Sequence, residues 1–387
     1  MKIAMCVPFF FPHFGGTEKY VKDVSVEMIS RGHQVTIITN NLPKEAGAPS
    51  KEVMDGINVI RLDAANWYGY LPVSGQFNIK MLEGFDIVHT HCPAFGFTRA
   101  VRNRLKKAPH VVTYHCDTTM SEKFLGVKMP KWAIKSIEFL TNVYAKLILP
   151  KVDRIITTTE SYASTSPVMK HFAHTAIPIG IHYEQFDASM AKQGITSASR
   201  DMKKVLFLGR FAANKGIDYL VRAIPLVLKE VPDAKFVLCG EGEEKPHIEA
   251  FIDKVGVRDH IEFKGKVNLD EMVNLYSTSA MYVFPSINRL EAFGIVQLEA
   301  MSCSTPVIAS NIPGVNNVMD VNQNGLLVEP RDVEGLAAAI VKLLKDPQLS
   351  RKMGEHGRKL VETKYNWKTI GDRIENLYKE AVAKKKA

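Results

Sequence analysis

The chain has 387 residues, more than one hydrophobic core usually organises, so we expect two domains. Hydrophobic residues make up 46% and charged residues 24%, the ordinary balance of a folded water-soluble protein. The net charge of +9 favours an anionic partner: nucleic acid, an anionic membrane surface or a phosphorylated small molecule. Because the sequence has no zinc-finger or RNA-binding aromatic motif, we expect no nucleic-acid partner.

Five cysteines are scattered without C-x-x-C spacing, which disfavours a disulfide framework or a zinc site and predicts a reducing compartment. The N-terminus lacks a signal-peptide layout, and no apolar run approaches the roughly 18 residues of a membrane span. We therefore expect a cytoplasmic protein.

The first half of the chain alternates short apolar strands with helical segments. A strand at residues 3–8 precedes a helix at 17–30, which Gly32 is placed to end. Further strands are predicted at 35–39, 59–62, 86–90, 111–115 and 154–158. This alternation is typical of a parallel, doubly wound α/β sheet.

The same alternation restarts in the second half, with strands predicted at 205–208, 236–239, 261–263, 282–284 and 307–309. We interpret residues 181–203 as a linker, because their apolar periodicity is poor. The predicted domains are therefore residues 1–185 and 200–364, followed by a helical segment at 365–387. In such sheets, ligands bind at the carboxyl ends of the strands.

Two cations follow the first strand of the second half. Arg210 comes directly after Gly209, and Lys215 precedes Gly216 at a predicted helix start. Cations beside a helix N-terminus suit a diphosphate, although a solvated basic loop explains them equally well. Two later turns, at Glu241 and at residues 264–267, contain glycines that open the backbone to a ligand, but a plain turn explains each of them alone.

The segment at residues 285–301 carries the most specific pattern. Glu291 lies in a polar loop, Gly294 opens a helix whose free N–H groups would stabilise an anion, and Glu299 follows, in our interpretation a little more than two turns along. The two carboxylates therefore flank a phosphate-binding helix start, where one is suited to a ribose and the other to a sugar.

The first half offers weaker candidates. Gly15 and Gly16 lie between a strand and a helix, where a ligand can approach the backbone or where a tight turn is needed. His115 closes a strand and can either hydrogen-bond a substrate or serve structure alone. His89 and His91 are interpreted as structural, because further metal ligands are not found near them.

Taken together, these residues resemble the retaining glycosyltransferases of family 4. Glu291 and Glu299 match the E-x7-E motif of that family, and the resemblance covers nearly the whole chain. It implies the GT-B fold, in which two Rossmann-like α/β domains face each other across a cleft. It also implies that the last helix, here residues 365–387, crosses back and joins the N-terminal domain. The other matching features are Gly15-Gly16, His115, Gly209-Arg210, Lys215-Gly216 and Asn324 through Val328.

The resemblance also implies roles. Arg210 and Lys215 would bind the donor diphosphate and stabilise the leaving group, and Glu291 would contact the transferred sugar. The remaining donor contacts would come from Glu241, Lys266, Val267, Phe293, Gly294 and Ile295, with Glu299 on the ribose.

In the N-terminal, acceptor-binding domain, Gly15 and Gly16 would lie against the acceptor or the diphosphate, and His115 would hydrogen-bond the donor sugar. The sugar would be transferred with retention, through front-face attack, without a metal or cofactor. The sequence has no D-x-D, the motif of metal-dependent GT-A enzymes.

The run from Asn288 to Gly294 resembles several mannosyltransferases, so GDP-mannose is favoured over UDP-sugars as the donor. The residues around Gly15 and His33 resemble mannosyl- and N-acetylglucosaminyl-transferases of lipid and polysaccharide glycosylation. This resemblance implies that the acceptor hydroxyl belongs to a lipid-linked molecule, a glycan or a small molecule. A sugar-nucleotide epimerase and a non-catalytic sugar-nucleotide-binding protein remain as alternatives.

Residues 123–151 mix lysines with aromatic and aliphatic residues. Such an amphipathic segment either covers the first sheet with its apolar side or lies on an anionic membrane, on the inner face if the protein is cytoplasmic. Two departures from the family pattern are Ser304, where glycine is usual, and the single glycine at 313–315.

Overall fold

The computed structural model describes residues 1–13, 15–42, 47–63, 76–102, 104, 105, 107–119, 123, 124 and 127–386. The chain forms two compact units: unit 1 is Met1–Ile179 with Trp367–Ala387, and unit 2 is Gly180–Asn366. The predicted linker at 181–203 was wrong, because it lies within unit 2 and contains the helix Glu184–Lys192. In that helix Phe186 is buried, but most of the residues around it in sequence are polar, which explains why the segment shows little apolar periodicity.

Unit 1 is built on one sheet whose strands are all parallel except the edge strand β3. Its strands are β1 Lys2–Cys6, β2 Gln34–Asn40, β3 Lys51–Met54, β4 Ile57–Leu62, β5 Ile87–Cys92, β6 His110–Tyr114, β9 Arg154–Thr157 and β10 Thr175–Ala176. Their order across the sheet is β10-β9-β6-β5-β1-β2-β4-β3, so the winding direction reverses between β1 and β5. A separate hairpin pairs β7 Lys123–Phe124 with β8 Val127–Lys128.

The helices of unit 1 come from both ends of the chain: α1 Gly16–Ser30, α2 Phe95–Val101, α3 Lys131–Ile148, α4 Glu160–Thr165 and α12 Trp367–Lys386. Helix α1, which the sequence predicts at 17–30, buries Tyr20, Val21, Val24 and Met28, which recur at helical spacing. Helix α12 buries Ile370, Ile374 and Tyr378 within the same unit.

Unit 2 has a parallel six-stranded sheet in the order β13-β12-β11-β14-β15-β16. Its strands are β11 Asp201–Leu208, β12 Lys235–Cys239, β13 Ile261–Lys264, β14 Ser279–Phe284, β15 Val307–Ser310 and β16 Gly325–Val328. Its helices are α5 Glu184–Lys192, α6 Ile217–Glu230, α7 Lys245–Val255, α8 Leu269–Ser277, α9 Ile295–Ser302, α10 Val333–Lys345 and α11 Pro347–Thr363. The winding direction reverses between β11 and β14, so both units have the predicted Rossmann-like α/β architecture.

Helix α3 contacts unit 1 with only one of its sides. Ala145 and Ile148 are buried, and Tyr144 packs edge-to-face on Phe95 of α2, with 6.1 Å between the ring centroids. Leu125, which the sequence pattern includes, lies outside the described residues. Among the helices that the structure describes, none is both long and apolar enough to cross a membrane.

Candidate active site

The loops that follow β11 and β14 meet at the point where the sheet of unit 2 reverses direction. Gly216 has a left-handed φ of +65°, and a Cβ there would lie 2.0 Å from the Pro285 carbonyl oxygen. The Ile287 N–H also donates to the Asn214 carbonyl at 3.0 Å. Only glycine permits this approach, which brings the residues after the two central strands together.

Lys215 and Glu291 form an ion pair across this junction. The Lys215 ammonium also lies over the Phe284 ring, 5.5 Å from its centroid. The side chains are 23% and 14% exposed, so water screens the pair only in part. The structure thus joins two residues that are 76 positions apart in sequence.

The start of α9 completes this edge. Gly294 has φ +80°, and a Cβ there would lie 2.5 Å from the Phe284 ring, so the helix begins tightly against the end of β14. The Gln297 N–H donates to the Gly294 carbonyl at 3.0 Å, whereas the N–H groups of Ile295 and Val296 have no backbone partner among the described residues and can receive an anion. The predicted position of Glu299 was wrong: α9 begins at Ile295, so Glu299 lies just over one turn along.

Glu299 is 9% exposed and accepts a hydrogen bond from the Tyr276 hydroxyl at 3.4 Å. Burial and then the charge of Glu299 raise the pKa of Tyr276 well above its ordinary value, so Tyr276 stays a donor. Tyr276 is not among the residues predicted from the sequence, because its helix lies before β14 and no spacing rule links it to Glu299.

Backbone hydrogen bonds join the exits of the other strands in unit 2. The Gly209 N–H donates to Cys239 at 3.0 Å, and the Gly240 N–H donates to Lys264 at 2.8 Å. The Phe211 N–H donates to the carbonyl of Glu241 at 2.8 Å, while the Glu241 side chain pairs with Lys245 at 3.0 Å. Arg210, on the same edge, is exposed.

The residues proposed to read the base lie further out. Lys266 is exposed, and Val267 lines a cavity of about 410 Å³ together with Lys264, Asn268 and Glu271. Lys215 and Glu291 are not among the residues lining that cavity. The structure therefore brings Lys215 to Glu291, but it does not bring Val267 to either of them.

In unit 1, His115 belongs to a row of buried histidines. His89 and His91 lie on the same face of β5, and the His91 ring stacks on that of His115, with 5.4 Å between centroids. His115 Nε2 is 3.2 Å from His91 Nδ1. Burial lowers the pKa of His115 to about 3, so its ring is neutral at physiological pH.

His89 is held between two hydroxyls, at 2.7 Å from Thr113 and 2.7 Å from Tyr378 of α12. Its ring nitrogens therefore both have partners within unit 1. A structural role accounts for it, whereas His91 contacts the candidate site residue His115 directly.

The start of α1 lies at the reversal point of the unit 1 sheet. Gly15 is in an extended conformation, but a Cβ there would lie 2.3 Å from a carboxylate oxygen of Glu18. A Cβ on Gly16 would meet no atom of the described residues within 4 Å, so the helix start is open on that side. Glu18 pairs with His13 at 3.2 Å, and its burial raises its pKa.

Glu18 is also absent from the site residues predicted from the sequence. The only available signal was its position three residues after Gly15, at the capping-box spacing for a helix start. Within the described residues, no group of three histidine, cysteine, aspartate or glutamate side chains is placed to hold a metal ion.

Comparison with known families accounts for most of the chain. The family model for Glycosyltransferase Family 4 matches residues 14–166, and the model for Glycosyl transferases group 1 matches residues 190–360. An uncharacterised glycosyltransferase of Methanocaldococcus jannaschii is 28% identical, over 99% of both chains. A phosphatidyl-myo-inositol mannosyltransferase of Mycobacterium leprae is also 28% identical, over 99% of this chain and 97% of that protein.

Among solved structures, sucrose-phosphate synthase from Thermosynechococcus elongatus aligns with a TM-score of 0.77 and 25% identity, over 99% of both chains. The two domain matches follow each other in the order of the two units, and the strand orders are those of Rossmann-like sheets. The chain therefore belongs to the glycosyltransferases of the GT-B fold, with a Family 4 domain followed by a group 1 domain.

Proposed function

We propose that this glycosyltransferase moves a sugar from a nucleoside-diphosphate donor to a hydroxyl acceptor with retention of configuration and without a metal. The observation that carries this proposal is the Lys215–Glu291 pair, which lies at the reversal point of the unit 2 sheet beside the open start of α9. Ligands of such sheets bind at this position.

The ion pair also suggests how the donor is bound. A diphosphate beside Lys215 competes with Glu291 for the ammonium, because it brings more negative charge than one carboxylate. We propose that Lys215 turns to the diphosphate together with Arg210 and stabilises the leaving group. Glu291 is then released to accept hydrogen bonds from the hydroxyls of the transferred sugar.

The rest of unit 2 supplies the remaining donor contacts. We propose that the backbone of Phe293, Gly294 and Ile295 receives the diphosphate at the α9 start, and that Glu299 holds the ribose hydroxyls. Tyr276 positions Glu299 through its hydrogen bond. The backbone near Glu241, Lys266 and Val267 reads the base.

We propose that unit 1 binds the acceptor at the edge formed by Gly15, Gly16 and His115. In the transfer step, the acceptor oxygen bonds to the anomeric carbon on the face from which the diphosphate leaves, and the leaving phosphate oxygen takes the acceptor proton. Because the His115 ring is neutral, it orients a substrate hydroxyl by hydrogen bonding and is not a source of acid.

Mannose is the favoured sugar and GDP-mannose the favoured donor, with UDP-sugars as the second choice. The similarity to the mycobacterial phosphatidyl-myo-inositol mannosyltransferase supports this choice. That similarity also supports a lipid-linked acceptor. The lysines and apolar residues of α3 support association with an anionic membrane surface.

The test measures release of nucleoside diphosphate from GDP-mannose and from UDP-sugars, with and without candidate acceptors. Lys215→Ala and Glu291→Gln should each lower kcat/KM by about 100-fold or more. The first removes the charge that stabilises the leaving diphosphate, and the second removes charge-assisted hydrogen bonds to the transferred sugar. The matched control is Lys345→Ala, which removes an exposed ion pair with Glu230 in the same unit and should leave activity unchanged.

Wild-type turnover by Lys215→Ala would contradict the assigned role. Donor consumption that yields an isomerised sugar and needs no acceptor would favour the epimerase instead. Donor binding without turnover by any acceptor would favour the binding protein.

A further inference from the structure

Helix α3 carries a stripe of large apolar side chains that faces solvent. Of the eight large hydrophobic residues exposed in the described part of the chain, five lie on this helix. Trp132 is 73% exposed and Phe139 is 65% exposed. The other three are Leu140, Val143 and Leu147.

The stripe is a continuous face, distinct from the side that packs on unit 1. At the rotation of an α-helix, its five residues fall within an arc of about 100°. Ala145 and Ile148, which are buried, lie on the opposite side of the helix. Helix α3 therefore has two apolar sides, of which one packs in the core of unit 1 and the other faces solvent.

Lysines border this stripe on one edge. Lys135 and Lys146 project beside it, with Lys131 a little further round, and all three are exposed. Lys151 follows just beyond the helix, whereas Glu138 is the only acidic residue in the segment. Between residues 131 and 151 the charge is four lysines minus one glutamate, or +3.

An apolar stripe bordered by cations matches the boundary of an anionic bilayer. Trp132 and Phe139 can enter the region between headgroups and acyl chains, while the lysines remain at the level of the lipid phosphates. A water-soluble protein partner would need an apolar groove of matching shape with acidic residues along its edge. An anionic bilayer offers apolar chains and negative charge without any matching of shape. The charge of the edge therefore favours a lipid surface.

We propose that this face of α3 docks unit 1 onto an anionic membrane, with the apolar stripe in the interface and Lys135 and Lys146 on the lipid phosphates. This inference rests on the proposed function in one respect: a lipid-linked acceptor would lie in the membrane to which unit 1 binds. Docking itself requires neither donor nor turnover.

The test is flotation of the full chain with vesicles of phosphatidylcholine alone and of phosphatidylcholine mixed with phosphatidylglycerol, without donor. The mixed vesicles should bind the chain and the neutral vesicles should not, and added salt should weaken binding because it screens the lysines. Lys135→Glu combined with Lys146→Glu should weaken binding at least tenfold, since each lysine contributes about fivefold.

Trp132→Ser combined with Leu147→Ser should also abolish flotation. The matched controls are Lys359→Glu and Leu269→Ser, which change an exposed lysine and a partly exposed leucine of unit 2 and should leave binding unchanged. Circular dichroism of each variant confirms that the fold is retained.

Equal binding to both kinds of vesicle, or equal losses in the control variants, would overturn the proposal. So would an absence of vesicle binding accompanied by dimers that the Trp132→Ser and Leu147→Ser variant does not form, because α3 would then be a self-association face. Vesicle binding by a chain that releases no nucleoside diphosphate would overturn the proposed function and leave the docking surface intact.

Discussion

Burial lowers the pKa values of four histidines of unit 1, which are His89, His91, His110 and His115. Burial lowers the pKa of His89 to about 3, that of His110 to about 4 and that of His115 to about 3. In the unfolded chain each returns to its ordinary value of about 6.5. Between these values the unfolded chain binds more protons than the folded one, so acid favours unfolding.

We predict that unit 1 loses stability as the pH falls from about 6.5 towards 4, by up to about 1.4 kcal/mol per pH unit for each histidine. The stability that these neutral histidines contribute is fully present above about pH 6.5, the pKa of a histidine in the unfolded chain. Amide hydrogen exchange in β5 and β6, measured at about pH 7.5 and about pH 5.5, reports the free energy of opening of this unit.

His89→Gln should reduce the slope of stability against pH, because one titrating group is removed. The exposed His247 of unit 2 provides the control, and His247→Gln should leave the slope unchanged. Equal stability of the wild-type unit at the two pH values would contradict the prediction.

Single residues also mark the limit of what the sequence predicts. Glu291, Glu299 and Lys215 follow strands or open a helix, so their positions along the chain indicated a site. Tyr276 contacts Glu299 only through packing of α8 near α9, which no local pattern records. Ser304 has a left-handed φ of +53°, which supplies the physical reason for the glycine usual in the family at that position.

At the scale of elements, the close approach of the β11 and β14 loops depends on Gly216. We predict that Gly216→Ala destabilises unit 2 by more than about 2 kcal/mol and strongly lowers nucleoside diphosphate release. A Cβ there would collide with the Pro285 carbonyl, in addition to the cost of about 1 kcal/mol for a left-handed alanine. Thermal unfolding and the release assay measure the two effects.

The matched control is Gly256→Ala. Gly256 has a similar φ of +70° at the end of α7, but a Cβ there would meet no atom within 4 Å among the described residues. Gly256→Ala should therefore lower the free energy of unfolding only by the cost of a left-handed alanine, and it should leave activity unchanged. Equal effects of the two substitutions would show that the steric contact with Pro285 is unimportant.

Buried parallel strands were predictable because each is a short apolar run between turn residues. The two edge strands of unit 1 were not. β3 alternates exposed and half-buried residues, and β10 has only two residues, so neither forms an apolar run. The helix α3 was ambiguous for a different reason: its apolar residues cover two faces, and only the structure separates the packed side from the exposed one.

At the scale of the whole molecule, unit 1 is assembled from two distant parts of the chain. Helix α12 buries Trp367, Ile374 and Tyr378 in unit 1, and the Tyr378 hydroxyl forms a hydrogen bond with His89. Arg31 of α1 pairs with Asp372 at 2.6 Å. Unit 2, in contrast, is one uninterrupted segment.

We predict that a chain ending at Asn366 loses hydrogen-exchange protection throughout the strands of unit 1 and keeps it in unit 2. The apolar surface that α12 covers would be exposed, which removes several buried side chains from the core of unit 1 only. Tyr378→Phe is the milder comparison, because it removes the hydroxyl but keeps the ring. Loss of protection in unit 2 to the same extent would refute the independence of the two units.

The late position of α12 has a consequence for synthesis on the ribosome. At about 5 to 20 residues per second, the segment from residue 180 to residue 366 takes roughly 10 to 40 seconds to translate. During that time unit 1 is an incomplete nascent domain that waits for its last helix, while unit 2 emerges whole. The C-terminal unit can thus finish folding before the N-terminal one, and the apolar side chains of unit 1 that α12 later covers stay exposed to water during that time.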